Sequence, residues 1–532
     1  MVETDAGNLL PPMAWDAWGD PALAKPLSSG IRTLLEQALG LTGTEIAAPT
    51  IDEVRLSPPT LPQHHIDGLA AIAGGQYLRT GDHDRILHAG GKSTPDLLRR
   101  KQIHQDAPDA VILPGTEDEI AAILGYCSRH RIAVVPFGGG TSVVGGLDPI
   151  RGEFDSVVTL DLRRLDTLHW LDEVSGEAEL GAGMTGPQAE ELLGERGFSL
   201  GHFPQSFRFA SIGGFAATRS SGQDSAGYGR FNDMVRGLHV ITPAGPLDLG
   251  RAPASAAGPD LRELFCGSEG VFGVITRVRV RVHPVPEAVR YEAWSFPDFA
   301  TGAGALRAVI QTGTGPTVLR LSDEVETGVN LATTHSIGEQ STTGGCLAIT
   351  VFEGTAAHAE TRAVLAAHGG TSLGEEAAKS WEKGRFDAPY LRDSLLKAGA
   401  LCETLETATC WSNIPTLKAA VTEALTASLT ASGTSALVMC HISHVYPTGA
   451  SLYFTVVAGQ RGDAATQWHA AKVAASDAIV ANGATITHHH AVGADHRHWM
   501  PAEIGELGVQ ILRAVKQAVD PAGILNPGKL IP

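Results

Sequence analysis

PFGGGTSVVGG, residues 136–146, follows the β-branched run IAVVPF and offers three consecutive residues without Cβ, then two hydroxyls. Bare backbone N–H groups can approach a pyrophosphate closely, and Thr141 and Ser142 can add donors. The spacing is neither G-x-G-x-x-G nor G-x-x-x-x-G-K-[ST], so the Rossmann and P-loop readings both fail. A lone glycine-rich turn is more often just a turn. Two more such segments follow, SFRFASIGGFAATRSSGQDSAGYG at 206–229 and CGSEGVFGVIT at 266–276. Three loops suggest one extended ligand wrapped by one domain.

Around these loops, residues 105–285 alternate short β-branched runs with helical segments. TEDEIAAILGYCSRH opens with a capping box, Thr116 with Glu119, and puts Ile120, Ile123, Leu124 and Cys127 on one helical face. VVTLDL, HVITP and VITRVRVRV read as strands, the last half exposed because valine alternates with arginine. Residues 1–104 read as a partly helical N-terminal extension, and 286–532 as a second α/β-like region. There LVMCHISHV and SLYFTVVA pair around the turn YPTGA, and a closing helix carries an apolar stripe of Ile504, Leu507, Ile511, Leu512 and Val515.

Composition sets limits on function. A chain of 532 residues, 43% hydrophobic and 18% charged, is an ordinary globular protein of several domains. Forty Lys plus Arg against 58 Asp plus Glu give a formal charge of −18, which argues against nucleic acid and anionic lipid as non-specific partners. An anionic ligand therefore needs a locally basic pocket. Six scattered cysteines without C-x-x-C spacing read as reduced core thiols. No signal peptide or 18-residue apolar run is visible, so a cytoplasmic enzyme is expected, with room for peripheral membrane contact and for a homodimer.

PFGGGTS, GHFPQSFRFASIGG, TRSSG and GSEGVFGVIT resemble the FAD-binding signature of the vanillyl-alcohol-oxidase type of flavoprotein. The fold implied is α+β: a two-subdomain FAD-binding domain of the vanillyl-alcohol-oxidase/PCMH type at 105–285, and an α/β substrate (cap) domain with an antiparallel sheet. By that resemblance Pro136, Gly138, Gly139, Gly140, Thr141 and Ser142 belong to the first loop, and Gln205, Ser206, Ser211, Gly213 and Gly214 to the second. Thr218, Arg219, Ser220 and Ser221 belong to the third, and Glu269, Gly270, Val274 and Ile275 to the last. With no His or Cys in the first loop, a non-covalent FAD is expected.

The cofactor does not choose the reaction. In the second region four features stand out: VLRLSDE with Arg320, PYLRDSLLKAGALCETLETATCW with Arg392, GASLYFTVV with Tyr453, and ATITHHHAVGADHRHW, five histidines within eleven residues. A planar guanidinium suits a phosphate or carboxylate, but a salt bridge of Arg392 to Asp393 or Glu403 is the commoner outcome. For Tyr453, between Leu452 and Phe454, a core tyrosine with a satisfied hydroxyl is again the commoner outcome. Taken jointly, and with WDAWGDP and DPAGILNPGKL at the two ends, these motifs resemble the alkyldihydroxyacetonephosphate synthase family. That resemblance implies exchange of the acyl chain of acyl-dihydroxyacetone phosphate for a fatty alcohol, through a flavin N5 adduct and without net redox. It implies Tyr453 as acid/base, Arg392 on the substrate phosphate, Arg320 as a second arginine needed for activity, His202 beside the flavin, and His488, His489 and His490 as the family's histidine triplet. Cations nearby are expected to lower the phenol's pKa, and imidazoles near pH 6.5 to relay protons.

The sequence departs from that pattern at His441, where arginine is expected, and in FTVV after Tyr453. The alternative is an FAD-dependent dehydrogenase of D-lactate, glycolate or 2-hydroxyglutarate. Such enzymes carry a pattern like HPxGDGNxH, whereas HVYPTGASLYF keeps His444 and has Tyr453 where a second histidine belongs. A flavin-binding lipid carrier without turnover is the remaining class. No metal is assigned: in an extended segment His488 and His490 share a face and His489 takes the other.

Overall fold

The computed structural model describes residues 13–41, 48–313, 315–329, 344–354 and 358–532. Three large sheets carry the chain. The first runs in the order Leu78–Arg79, Ala110–Ile112, Ser156–Asp161, Ile132–Phe137, with the last three strands parallel. Parallel strands are covered on both faces, which explains why AVI, SVVTLD and IAVVPF are buried almost throughout. The helix Glu117–His130 buries Ile120, Ile123, Leu124 and Cys127, and Thr116 caps it by accepting from the Glu119 N–H at 3.1 Å. The Glu119 carboxylate accepts from the Gly115 N–H instead of that of Thr116, so the expected capping box is half formed.

A second, antiparallel sheet runs Gly245–Leu249, Val235–Thr242, Val274–Arg281, Glu177–Gly181, Leu168–Asp172. Along Val274–Arg281 the valines are buried and the arginines half-buried, as the alternation predicts.

The third sheet has eight strands, in the order Thr371–Gly374, Val289–Phe296, Cys346–Glu353, Val318–Ser322, Ala436–Ile442, Gly449–Gly459, Ala400–Cys410, with Val445–Tyr446 added beside Gly449–Gly459. All its pairings are antiparallel. The helices Ile414–Ala431 and Ala464–Ala481 cover one face, packing Leu417, Val421, Leu425, Trp468 and Ala475 with Leu452, Phe454 and Val456. Period two then sends Tyr453 and Thr455 to the opposite face, which looks into a cavity. Tyr453 is therefore not a core tyrosine.

The N-terminal residues divide between the other units. The helix Ser29–Leu39 packs Ile31, Leu35 and Leu39 on Ala400, Cys402, Met439 and Val457 of the third sheet. The helix Gln63–Ala73 contributes Leu69 and Ala73 to the core of the first. At the other end the helix Met500–Val519 breaks at Gly505. Its stripe is not buried as a unit: Leu512 and Val515 pack on the second sheet's core, whereas Ile504, Leu507 and Ile511 are exposed. Cys410 is also exposed, and the other five cysteines are buried thiols. Among the described residues no helix is long and apolar enough to cross a membrane.

Candidate active site

The glycine loops meet along one wall of a single cavity. Pro136, Gly138, Gly139, Gly140, Thr141 and Ser142 line it, as do Gln205, Ser206, Ser211, Gly213, Gly214, Thr218, Ser220, Ser221, Glu269, Gly270 and Ile275. Two of these loops touch backbone to backbone: a Cβ on Gly139 would lie 1.9 Å from the Phe209 carbonyl oxygen. Glycine is needed there for approach and at Gly140 for its φ of +70°. Ser211 caps the short helix Ile212–Thr218, its Oγ accepting from the Gly214 N–H at 3.2 Å. The buried Gln205 Nε2 has no protein partner among the described residues, and it is free to donate to a ligand. A Cβ-free wall with spare donors fits the pyrophosphate and ring edge of FAD.

Arg219 and Val274 do not line this cavity. Arg219 closes the helix in the left-handed region, φ 50°, and its guanidinium donates to the Cys266 and Glu263 carbonyls. Val274 is a core side chain. Conversely, Asn526 of the closing NPGKL donates to the carbonyls of Gly146 at 3.1 Å and Glu269 at 2.7 Å, tying the first loop to the last. The Glu269 carboxylate accepts from the Gly493 N–H at 2.7 Å, and burial pushes its pKa up to about 7 despite that bond.

Across the cavity, strand register builds a row of three. His441 on Ala436–Ile442 stands directly opposite Tyr453 on Gly449–Gly459, and Tyr453 directly opposite Glu406 on Ala400–Cys410. Directly opposed residues share a face. The Tyr453 ring lies nearly parallel to both His441, centroids 4.8 Å apart, and His489, 6.0 Å.

Glu406 is buried under the histidine triplet and holds it. Its carboxylate accepts the backbone N–H of His488 at 2.6 Å, His489 at 3.2 Å and His490 at 2.9 Å, and the Thr487 hydroxyl at 2.5 Å. Residues 487–490 therefore bend around a charge and are not extended. The alternation expected from sequence is overturned: His489 and His490 both line the cavity, and His488 lies behind, bonded to the Tyr446 hydroxyl at 2.6 Å. The imidazoles that come within 4.8 Å of one another are His444, His488 and His489, not His488 with His490. Of these, His444 Nδ1 is already bonded to the Ser225 hydroxyl at 2.7 Å.

Arg320 and Arg392 reach the cavity from opposite sides of this row. Arg392 does form the salt bridge to Asp393, Nε to Oδ1 at 3.0 Å, and its Nη1 donates to the Lys92 carbonyl at 2.6 Å. Its Nη2 lies 2.9 Å from the same Asp393 oxygen but is poorly directed toward it, so N–H capacity remains for an anion. Asp393 in turn accepts the Trp18 N–H at 2.5 Å, and Trp18 lines the cavity, so WDAWGDP is a strap over its Arg392 end. His202 is buried off the cavity, with Nε2 3.1 Å from the Ser220 hydroxyl, and it can act there only through Ser220.

Burial dominates the electrostatics. It pushes His490 down to about 3 and His202 to about 3, lowers His489, and carries His444 and His488 further below the usual imidazole range. These rings are neutral at pH 7, which corrects the expectation of groups titrating near 6.5. Burial also raises the Tyr453 phenol above its ordinary value, with Glu403 and Glu406 adding to the shift, against the expected depression by cations. For Glu406 burial works the other way from its surroundings: the imidazoles of His489, His490 and His488, which gain their charge in the acid range where a carboxyl titrates, and the Thr487 hydroxyl outweigh it and hold the carboxyl well below the carboxylate range.

A depressed folded-state pKa means that Glu406 stabilises the fold above its unfolded value, about 4.3, and that this stabilisation is lost as pH falls through the folded value. Glu406→Gln is expected to cost about 3 kcal/mol or more at pH 7 in urea unfolding, because amide hydrogens then face N–H donors, and to cost progressively less in strong acid. A variant as stable as wild type at pH 7 would contradict the anchoring role. Gly139→Ala is expected to yield protein without flavin absorbance, while Gly194→Ala, with open space around its Cβ, retains it.

Residues 108–248 match the family described as FAD binding domain, and residues 285–530 the family described as FAD linked oxidases, C-terminal domain. The chain is similar to the alkyldihydroxyacetonephosphate synthase of Trypanosoma brucei brucei, at 32% identity over 97% of this chain and 92% of that one. It is similar to that of Dictyostelium discoideum at 30%, over 99% and 94%. A solved alkyldihydroxyacetonephosphate synthase superposes with a TM-score of 0.82 at 28% identity, covering 97% of this chain and 98% of the other. With full-length likeness of sequence and fold, and FAD as its cofactor, the chain belongs to the alkyldihydroxyacetonephosphate synthase family.

Proposed function

We propose that this enzyme exchanges the acyl chain of acyl-dihydroxyacetone phosphate for a fatty alcohol, making an ether bond without net oxidation or reduction. The observation that supports it most is that the dinucleotide cradle and the set Arg320, Arg392, Tyr453, His489 and His490 border one cavity. Family membership sets the hydroxy-acid dehydrogenase reading aside.

In this reading the substrate phosphate is gripped by the open edge of Arg392, beneath Trp18. That resolves how a chain of formal charge −18 holds an anion: the guanidinium is local, desolvated and pre-oriented by Asp393. FAD, held non-covalently by the glycine-rich wall, would supply an electrophilic ring nitrogen to the substrate carbon. Tyr453 faces the substrate's C1 as its acid/base residue: burial keeps the phenol protonated, so it takes the C1 proton only as its own passes to the neutral His489 beside it, and gives it back as that proton returns. His489 and His490, neutral and fixed by Glu406, offer N–H donors or lone pairs to the oxygens that leave and enter. Strap, sheet and triplet together exclude water, which would otherwise compete with the alcohol. In this reading the enzyme works in the cytoplasm and meets its lipid-like substrates at a membrane surface.

Incubating FAD-loaded protein with acyl-dihydroxyacetone phosphate and labelled hexadecanol is expected to yield labelled ether and free fatty acid in equal amounts. Tyr453→Phe is expected to lower kcat by about 10²–10⁴-fold with FAD retained. Arg392→Ala is expected to raise KM for the phosphorylated substrate by about 10–100-fold and leave KM for the alcohol unchanged. Near-normal exchange by Tyr453→Phe, or equal KM effects on both substrates, would contradict these roles.

A further inference from the structure

Beside Tyr453 lies a group that the exchange reading has not used. His441 Nδ1 is 2.8 Å from Glu326 Oε2 and 3.0 Å from Arg320 Nη2, and Arg320 also pairs with Glu326. A carboxylate can only accept and a guanidinium can only donate. The carboxylate at 2.8 Å favours the proton on Nδ1, which donates to Glu326 and leaves Nε2 with its lone pair; an unprotonated Nδ1 could accept from Arg320 but would turn its lone pair on the carboxylate. Nε2 has no protein partner among the described residues, and the ring lines the cavity. The imidazole lies 18° from parallel with the Tyr453 ring, so its free edge and the phenol face the same space.

We propose that His441 is a second acid–base residue of this site, its Nε2 taking a proton from a ligand oxygen beside Tyr453 and giving it back. The proposal rests on the exchange reading. As the entering alcohol's oxygen bonds to the substrate carbon, its O–H bond breaks and the proton passes to Nε2. The imidazolium then returns that proton to the displaced carboxylate, so the fatty acid leaves with it and no co-reactant is needed.

The neighbouring groups are less suited to this task. Tyr453 holds its own proton. His489 and His490 turn Nδ1 toward Glu406, at 3.6 Å and 3.9 Å, and His444 and His488 are bonded to hydroxyls at 2.7 Å and 2.6 Å. The charged and titratable groups facing His441 are Arg320, Glu326, Tyr453, His489 and His444. Burial and Arg320 lower its pKa while Glu326 raises it, so it is a neutral base at pH 7. Glu326 is itself fully buried and held far below the carboxylate range: burial opposes its charge, and His441 and Arg320 outweigh that. Because the neutral imidazole is the working form, activity falls as pH falls through its pKa. Removing the Glu326 charge lowers that pKa and moves the fall to lower pH.

The test is kcat against pH for labelled alcohol incorporation by the FAD-loaded full-length chain, for wild type, His441→Gln and Glu326→Gln. His441→Gln is expected to lose about 100-fold in kcat and the acidic limb of the profile, with KM for the phosphorylated substrate and flavin content unchanged. Glu326→Gln is expected to keep the limb but at lower pH. Wild-type kcat in His441→Gln, an unchanged limb in it, or an unmoved limb in Glu326→Gln would overturn the proposal. Should His441→Gln fail to hold FAD, the direction of the Glu326→Gln shift decides alone. Absence of labelled ether from wild type would sink the exchange reading and this proposal together, whereas exchange with an unmoved limb sinks only this one.

Discussion

One buried carboxylate organises the reactive end of this molecule. Glu406 has no solvent to stabilise its charge, so it takes three consecutive backbone N–H groups and a hydroxyl in its place. Backbone donors that converge on an anion force the chain to bend, and that bend places His489 and His490 over the cavity and His488 behind it. Without the charge the segment has no reason to leave an extended path. Because Glu406 is also cross-strand from Tyr453, the same side chain that shapes the triplet fixes its distance from the phenol.

The rest of the site follows from sheet register. Antiparallel pairing aligns His441, Tyr453 and Glu406 on three neighbouring strands, and the two long helices behind the sheet leave only the other face for chemistry. Arg320 enters from the next strand, where Ser322 pairs with His441. A slip of one residue in any of these pairings would turn a reactive side chain into the core. The cofactor cradle is assembled differently, by close backbone approach at Gly139 and by Asn526 stapling loops from distant parts of the chain.

Much of this could be read in the sequence, and what could not has a physical reason. One glycine-rich turn says little, but three such segments within one domain pointed to a cradle, and period two marked the strands. Arg219 and Val274 were carried along by adjacency to residues that do face the cavity. The bend at 487–490 was hidden because its cause, Glu406, lies about eighty residues away in sequence. His441 was legible only as a departure from pattern; that it pairs with Glu326 depends on a contact across strands. Trp18 and Asn526 sat in quoted motifs at the two ends, but no local signal says that an end folds back over a site. The depression of the imidazoles and the elevation of the phenol come from burial, which composition cannot report.

The central claim is that a flavoprotein fold performs group exchange here without passing electrons onward. The most direct measurement is turnover with and without an electron acceptor under strict exclusion of oxygen, starting from oxidised FAD. The account predicts many turnovers of ether formation at the same rate in both cases, with fully oxidised flavin recovered at the end. Turnover that stops after one equivalent unless an acceptor is added would contradict it.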